Sequence, residues 1–173
     1  DGGGEAVGMV ADVTVAGAPD DIVNGALGEF NRIDILVNNA GVFVWKSFFD
    51  LDYDDWNRTM ETNLGAPFHL TRIAGKTMAN QGTGGSIINI ASIHAQVGDP
   101  NVVAHCASKF GLVGLTKATA GALREHEIRV NAIAPGAIDP NSLDRRGAGP
   151  TQKVTQADIA SLAVYLASDL ARS

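Results

Sequence analysis

Short β-branched runs alternate with longer amphipathic stretches along this chain, and that alternation constrains its fold more than any other feature. Parallel strands need a crossover connection, usually a helix, so the pattern predicts βαβ units around a parallel sheet with helices on both faces. The predicted strands are 6–10, 33–38, 86–91 and 129–134, and the predicted helices are 19–30, 53–78, 102–123 and a last one after Thr155. The predicted fold class is α/β.

Local signals add detail at three places. Thr155 and Asp158 stand at a capping-box spacing, so the last helix is expected to begin there and to turn an apolar stripe toward the sheet. The apolar strand centres at 35–37 and 87–88 are typical of strands buried on both faces. Between 136 and 155 the chain is rich in Gly, Pro and charge, which predicts a mobile loop over a site.

Composition limits the partners. At 173 residues the chain is long enough for one domain, 1–173, with a sizeable core. A net charge of −6 disfavours nucleic acid and anionic membranes, which need clustered Lys and Arg. No apolar run approaches the ~20 residues of a membrane helix and no basic-then-apolar leader opens the chain, so we expect a cytoplasmic protein. Cys106 is the single cysteine, and no Cys/His cluster has zinc-ligand spacing, so neither a disulfide nor a metal site is expected.

The densest chemistry lies between Ser92 and Lys109. Ser92 precedes His105 by thirteen residues, and Lys109 follows His105 by four. Residues four apart share one face of a helix, so His105 and Lys109 can converge on one site.

An Asn-Asn-Ala-Gly tetrapeptide at 38–41 directly follows a predicted strand. Ligands of open α/β sheets bind at the carboxyl ends of strands, and a glycine there lets a ligand approach the main chain closely. Read alone, the tetrapeptide fits an Asn-Gly turn equally well. Pro135 and Gly136 follow another predicted strand in the same way.

Together these motifs resemble the short-chain dehydrogenase/reductase family, which has a serine and a Tyr-x-x-x-Lys motif at the intervals of Ser92, His105 and Lys109. His105 stands where that family has its tyrosine. The resemblance covers nearly the whole chain. It implies a Rossmann-type, doubly wound parallel sheet and an oxidoreductase that uses NAD or NADP on a small alcohol or ketone. The choice between the two cofactors is not readable from these residues.

The resemblance implies a catalytic set of Asn63, Ser92, His105 and Lys109. In the family the serine hydroxyl steadies the substrate oxygen, and the tyrosine hydroxyl gives or takes the substrate proton. The lysine lowers the pKa of that tyrosine and holds ribose hydroxyls, and the backbone of the asparagine helps to hold a water. The implied cofactor-binding residues are Asp12, Val13, Asn39, Ala40, Gly41, Lys109, Pro135, Gly136 and Ile138.

Histidine at position 105 changes the expected chemistry. A histidine has an unperturbed pKa of ~6.5 against ~10 for tyrosine, and the ammonium of Lys109 lowers the pKa of the imidazole further. A neutral imidazole can accept an alcohol proton but is a poor proton source for ketone reduction, so slow or absent turnover is expected. The alternative is a helix-surface residue, tolerated in an inactive member that serves as a binding or oligomerisation scaffold.

Two neighbours of this motif carry open alternatives. His94 is either a second proton carrier or only a loop residue, since it stands two residues past Ser92 in the predicted pocket loop. Cys106 is expected to pack in the core, because a helix turns it about 100° away from His105.

The resemblance also implies features beyond the site. The family's first βαβ unit, with its Gly-rich phosphate loop, and its last strand have no counterpart in 1–173, which is expected to weaken dinucleotide binding. The helices at 53–78 and 102–123 are the family's usual contact between subunits, so a homodimer or homotetramer is expected.

Overall fold

The computed structural model describes residues 3–137 and 154–172, and its centre is a parallel sheet of three strands. The strands are β1 (Ile35–Asn38), β2 (Gly85–Ile90) and β3 (Ile128–Ile133), in the spatial order β1-β2-β3. Both pairs are parallel, and a helical crossover joins each strand to the next. The α/β prediction is confirmed.

Five helices surround this sheet. They are α1 (Ala18–Phe30), α2 (Tyr53–Met60), α3 (Ala66–Gln81), α4 (Val103–Ala122) and α5 (Gln156–Ala167). The predicted capping box of α5 is confirmed, because Thr155 Oγ1 accepts from the Asp158 main chain and the Asp158 carboxylate accepts from the Thr155 main chain. Within 3–137 and 154–172, none of the helices is long and apolar enough to cross a membrane.

One face of the sheet packs against α1, α3 and α4. Its centre is a cluster of Met78 from α3, Ile87 from β2, and Ile128 and Val130 from β3. Helix α1 reaches this layer by packing Val23 against α3. Burial of these apolar side chains holds the strands and helices in register, since removing apolar area from water is the main driving force for folding.

Helix α5 covers part of the opposite face, over β2 and β3. Ser86 Oγ donates to the Leu166 carbonyl at 3.1 Å, and the Arg129 guanidinium donates to the same carbonyl at 2.6 Å. Ile35 and Val37 of β1 lie on this face beyond the reach of α5 and are 50% and 45% exposed. The prediction of burial on both faces is therefore confirmed for the centre of β2 and wrong for β1.

The strand predicted at 6–10 is absent from the sheet. This segment has no regular secondary structure, and Val7, Met9 and Val10 are exposed. Its alternating apolar residues fit a strand, but a strand is stable only when a neighbour pairs with its backbone. Met9 instead lies against Gly25 of α1, where an added Cβ would collide with the methionine methyl group.

The predicted helix at 53–78 is interrupted by a π-helical turn at Glu61–Gly65, and α3 continues to Gln81. Pro67 has no N–H to donate to the carbonyl of Asn63, so the regular helical bond at this point cannot form. A wider turn relieves that conflict. The interruption places Asn63 at an irregular, fully buried point between α2 and α3.

A row of buried polar side chains crosses the core at the ends of β1 and β2. Asn38 Nδ2 donates to Asn89 Oδ1 at 2.8 Å and to Thr71 Oγ1 at 3.2 Å. Asn89 Nδ2 donates to Thr116 Oγ1 at 2.9 Å. The row ties the sheet to both long helices, because Thr71 belongs to α3 and Thr116 to α4.

We expect Asn89→Leu to lower the free energy of unfolding by about 2–3 kcal/mol, because it leaves the buried Asn38 amide without its main acceptor. Urea unfolding followed by circular dichroism measures the change. Asn80→Leu, at an exposed position of α3, is the matched control and should change stability by less than about 0.5 kcal/mol. Equal losses in the two variants would contradict a structural role for the row.

Candidate active site

His105 and Lys109 lie one turn apart on α4, and both are buried. Lys109 Nζ donates to the Ile90 carbonyl at 2.7 Å, at the carboxyl end of β2. The His105 ring packs edge-on against Phe43, with ring centroids 4.8 Å apart. His105 is 8% exposed as a residue, so its expected alternative position on the helix surface is wrong, while the inactive member stays a prediction.

Asn63 joins α4 to the loop that follows β1. Its Oδ1 accepts from the Val42 main-chain N–H at 2.8 Å, and its Nδ2 donates to the Val42 carbonyl at 3.0 Å. The same Nδ2 donates to Ser108 Oγ at 3.1 Å. This one side chain therefore fixes the loop after β1 against the helix that carries His105.

Gly41 brings the tetrapeptide loop to the same place. A Cβ atom added to Gly41 would lie 3.3 Å from Asn63 Oδ1 and 3.8 Å from Lys109 Nζ. The absence of a side chain there keeps a small cradle open beside the ammonium. Asn39 and Ala40 precede it on the exposed rim. The structure thus brings Gly41, Asn63 and Lys109 together.

Ser92 lies two residues beyond the last residue of β2, near the strand end whose carbonyl binds Lys109. It begins the 3-10 turn Ile93–Ala95, where its Oγ accepts from the His94 main-chain N–H at 3.2 Å. Its backbone is extended, and the residue is half-buried. Ser92 thus lies near the carboxyl end of β2.

Pro135 and Gly136 follow β3 at this edge. The Pro135 carbonyl accepts from the Ile93 main-chain N–H at 2.8 Å, which links the end of β3 to the turn after Ser92. A Cβ added to Gly136 would meet no atom within 4 Å, so packing in the described part of the chain does not require glycine there. Ile138 and most of the predicted loop, 138–153, lie outside the described residues.

Asp12 and Val13 lie in the turn before α1. The Asp12 carboxylate accepts from the main chain of Thr14 at 2.9 Å and from its hydroxyl at 2.7 Å, and these bonds hold the pKa of Asp12 below its usual value. Val13 packs against the apolar cluster between α1 and α3. Their role toward a cofactor stays a prediction.

Burial sets the charges of the two helix residues. Desolvation, followed by the charge of Lys109, lowers the pKa of His105 to about 4. Desolvation also lowers the pKa of Lys109 to about 8. At neutral pH the imidazole is therefore neutral, whereas the ammonium is mostly charged.

Two residues beside the site gave no usable sequence signal. Phe43 packs against His105, but nothing in its sequence surroundings distinguishes it from a core aromatic. Asp99 is buried, with its Oδ2 atom 3.9 Å from His94 Nε2. In the sequence, however, an Asp before a Pro is typical of an ordinary turn and does not indicate a site. Cys106 is buried as predicted, with its Sγ 3.9 Å from the Val97 carbonyl.

A separate cleft of about 520 Å³ lies at the amino end of β3, lined by Arg124, Arg129 and Arg172 among others. Arg129 donates to three carbonyls at the end of α5, and Arg172 pairs with Asp169 at 3.0 Å. Because ligands of parallel α/β sheets bind at the carboxyl ends of strands, this cleft is not the candidate site.

Known proteins share this arrangement of strands and helices. An uncharacterised oxidoreductase of Escherichia coli, YohF, is 40% identical over 148 residues, which span 80% of this chain and 58% of that protein. L-rhamnose 1-dehydrogenase (NAD(P)(+)) of Azotobacter vinelandii is 34% identical and is matched over 98% of this chain and 71% of its own length. The solved structure of a 4-hydroxyisoleucine dehydrogenase complexed with NADH and succinate superposes with a TM-score of 0.82 at 34% identity, covering 94% of this chain and 72% of that one.

The family comparison agrees with these likenesses. Residues 1–150 match the short chain dehydrogenase family, and this range includes the candidate catalytic residues. The chain spans less than two thirds of YohF, at 58% of its length. On this match, the chain belongs to the short-chain dehydrogenase family.

Proposed function

We propose that this chain carries the catalytic part of an NAD(P)-dependent oxidoreductase that interconverts a small alcohol and a ketone. The observation that carries the proposal is the buried ammonium of Lys109 at the carboxyl end of β2, beside Asn63 and the cradle at Gly41. A buried cation is costly unless it serves a ligand or a partner. The carbonyl of Ile90 takes one of its three N–H donors, which leaves capacity for hydroxyl groups.

The residues at this edge fit a nicotinamide cofactor. Gly41 leaves space beside Lys109, and the main chain of Pro135 and Gly136 borders the same strand ends. In our proposal these residues, together with Asp12, Val13, Asn39, Ala40 and Ile138, hold the cofactor. When bound, a nicotinamide supplies the acceptor or donor of a hydride. The names of two relatives support this cofactor class, since one includes NAD(P)(+) and the other NADH.

His105 is poorly suited to proton transfer near neutral pH. Its imidazole is neutral, because its pKa is about 4, so it is a poor proton source for a ketone oxygen and a weak acceptor for an alcohol proton. In our proposal the Ser92 hydroxyl steadies the substrate oxygen. The carbonyl of Asn63 receives no helical bond from Pro67 and is a ready acceptor for a water.

A non-catalytic scaffold is the second candidate. The buried Nδ1 atom of His105 has no hydrogen-bond partner, so no second group orients the ring from that side. Cofactor binding without turnover of any alcohol would favour the scaffold. The expected cytoplasmic location stays a prediction.

For assembly, we propose a homodimer or homotetramer through α3 and α4. Phe68 of α3 and Phe110 of α4 are 45% and 48% exposed, and large apolar side chains on an outer face mark contact surfaces. Gly114 has open space beside it, which permits a close approach. Gly111 instead packs against Leu64 of its own chain, so it serves the fold.

Lys109→Met should weaken cofactor binding at least about tenfold, because it removes the charged donor beside the Gly41 cradle. Calorimetric titration with NADH and NADPH measures the affinity. Lys117→Met, at an exposed position of the same helix, is the matched control and should leave the affinity unchanged. Absence of binding by the unsubstituted protein would contradict the proposed function.

His105 should make the protein less stable in acid. The unfolded chain binds a proton at this side chain near pH ~6.5, but the folded chain does so only near its pKa of about 4, so lowering the pH through this window favours the unfolded state. We expect His105→Gln to reduce the loss of unfolding free energy between pH 7 and pH 4 by about 2–3 kcal/mol. Urea unfolding at the two pH values measures it.

The control for this comparison is His126→Gln, whose side chain is 43% exposed in the turn after α4. It should leave the acid-dependent loss close to that of the unsubstituted protein. An identical loss in the His105 and His126 variants would show that burial of His105 contributes nothing to the pH dependence.

Phe110→Glu is expected to shift the protein toward the monomer, because it places a charge in the proposed contact between subunits. Light scattering across a dilution series measures the molar mass. Val164→Glu, at a position of α5 that is 69% exposed, is the control and should leave the mass unchanged. A monomeric unsubstituted protein would contradict this assembly.

A further inference from the structure

A second histidine and a buried carboxylate lie beside His105. The rings of His94 and His105 meet edge to face, with centroids 5.6 Å apart. His94 Nε2 is buried and has no hydrogen-bond partner, while Asp99 Oδ2 lies 3.9 Å away. That distance is within the range of an ion pair but beyond that of a hydrogen bond. The contact therefore gains most when His94 carries a positive charge.

The carboxylate of Asp99 is held in a position facing His94. Asp99 is 7% exposed, and its Oδ1 atom accepts from the Asn101 main-chain N–H at 3.0 Å. This bond fixes the carboxyl group and leaves Oδ2 toward the imidazole. A buried carboxylate needs a partner, and His94 is the cation-forming side chain within ion-pair distance of it in the described part of the chain.

The other charged groups nearby leave this pair intact. From α4, His105 is neutral near pH 7, and Lys109 turns its ammonium to the Ile90 carbonyl. The main-chain N–H of Lys46 donates to the Asn101 carbonyl, but the Lys46 ammonium pairs with Asp52 and Asp55 instead of Asp99. Phe43 closes the remaining side with an apolar ring.

We propose, on the basis of the proposed function, that His94 is the proton-transfer residue of this site and that Asp99 is its positioning residue. His105, which stands at the family's tyrosine position, then only lines the pocket as an uncharged side chain. His94 is suited to the role because its side chain is 15% exposed, so it can exchange a proton with solvent. His105 is buried away from water and is a weak base in the folded protein.

The proposed step conserves atoms and electrons. The substrate O–H bond breaks, and its proton moves to Nδ1 of His94, because Nε2 faces Asp99. The electron pair of that bond forms the carbonyl, while the C–H bond breaks and its hydrogen leaves with two electrons to the oxidised nicotinamide. The Asp99 carboxylate, at ion-pair distance, stabilises the imidazolium so formed through its negative charge. The imidazolium then releases its proton to water.

Proton transfer fits these residues better than metal binding. Within 3–137 and 154–172, no three His, Cys, Asp or Glu side chains are arranged to hold a metal ion. His94, His105 and Asp99 are therefore close without forming a ligand set. A histidine with a carboxylate behind it is the usual arrangement for moving a proton.

The test compares His94→Gln, Asp99→Asn and His105→Gln, with oxidation of 2,3-butanediol and L-rhamnose by NAD⁺ or NADP⁺ as the assay. We expect His94→Gln to lower kcat at least about a hundredfold at unchanged KM. Asp99→Asn should lower kcat about tenfold at unchanged KM, because it removes the carboxylate charge beside the imidazole. His105→Gln should lower kcat less than His94→Gln does, and His126→Gln, at an exposed position outside the site, should retain kcat within about threefold. Cofactor affinity, measured by calorimetry, should be the same in all four variants.

A second readout does not need turnover. In the NMR spectrum of the free protein, Asp99→Asn should move the ring resonances of His94, because the two side chains lie at ion-pair distance. The ring resonances of His126 are the internal control and should not move. An unchanged His94 spectrum would overturn the pairing and the proposal with it.

The remaining outcomes distinguish failure of the proposed role of His94 from failure of the proposed function. Retained kcat in His94→Gln together with lost kcat in His105→Gln would overturn the role of His94 and leave the oxidoreductase intact. Cofactor binding without oxidation of either probe would overturn the role of His94 and favour the scaffold. Absence of cofactor binding by the unsubstituted protein would overturn the proposed function and the role of His94 together.

Discussion

The candidate site depends on one buried side chain, Asn63. Its amide holds both main-chain groups of Val42 and also donates to Ser108 on α4. Three parts of the molecule therefore meet at one residue: the loop after β1, the π-helical turn and the helix that carries His105. This contact holds the loop with Gly41 close to the ammonium of Lys109.

Burial at that junction decides the chemistry. The apolar surroundings that hold α4 on the sheet also withdraw His105 and Lys109 from water, and desolvation is the leading cause of both lowered pKa values. A neutral imidazole and a charged ammonium one helical turn apart differ from the tyrosine and lysine of the resembled motif. The substrate proton then needs another acceptor. In our proposal this acceptor is His94, which has the Asp99 carboxylate beside its imidazole.

Sequence patterns predicted the elements that local physics controls. The capping box of α5, the helix carrying His105 and Lys109, and the strands β2 and β3 were found within a few residues of their predicted bounds. The predictions were wrong where the pairing of strands or the missing N–H of a proline decided the secondary structure. The alternation at 6–10 lacked a strand to pair with, and the helix at 53–78 was interrupted because Pro67 cannot donate to Asn63. Exposure of Ile35 depends on how far α5 extends across the sheet, which no local pattern encodes.

The sequence by itself determined the α/β class and the spacing of Ser92, His105 and Lys109, because periodicity and helix geometry are local properties of the chain. It also indicated that the imidazole would be neutral at neutral pH. Only the tertiary structure decided that His105 is buried without a partner for Nδ1, and that Asp99 lies beside His94. Burial and contacts between distant residues arise from packing of the whole molecule, so a linear pattern does not contain them.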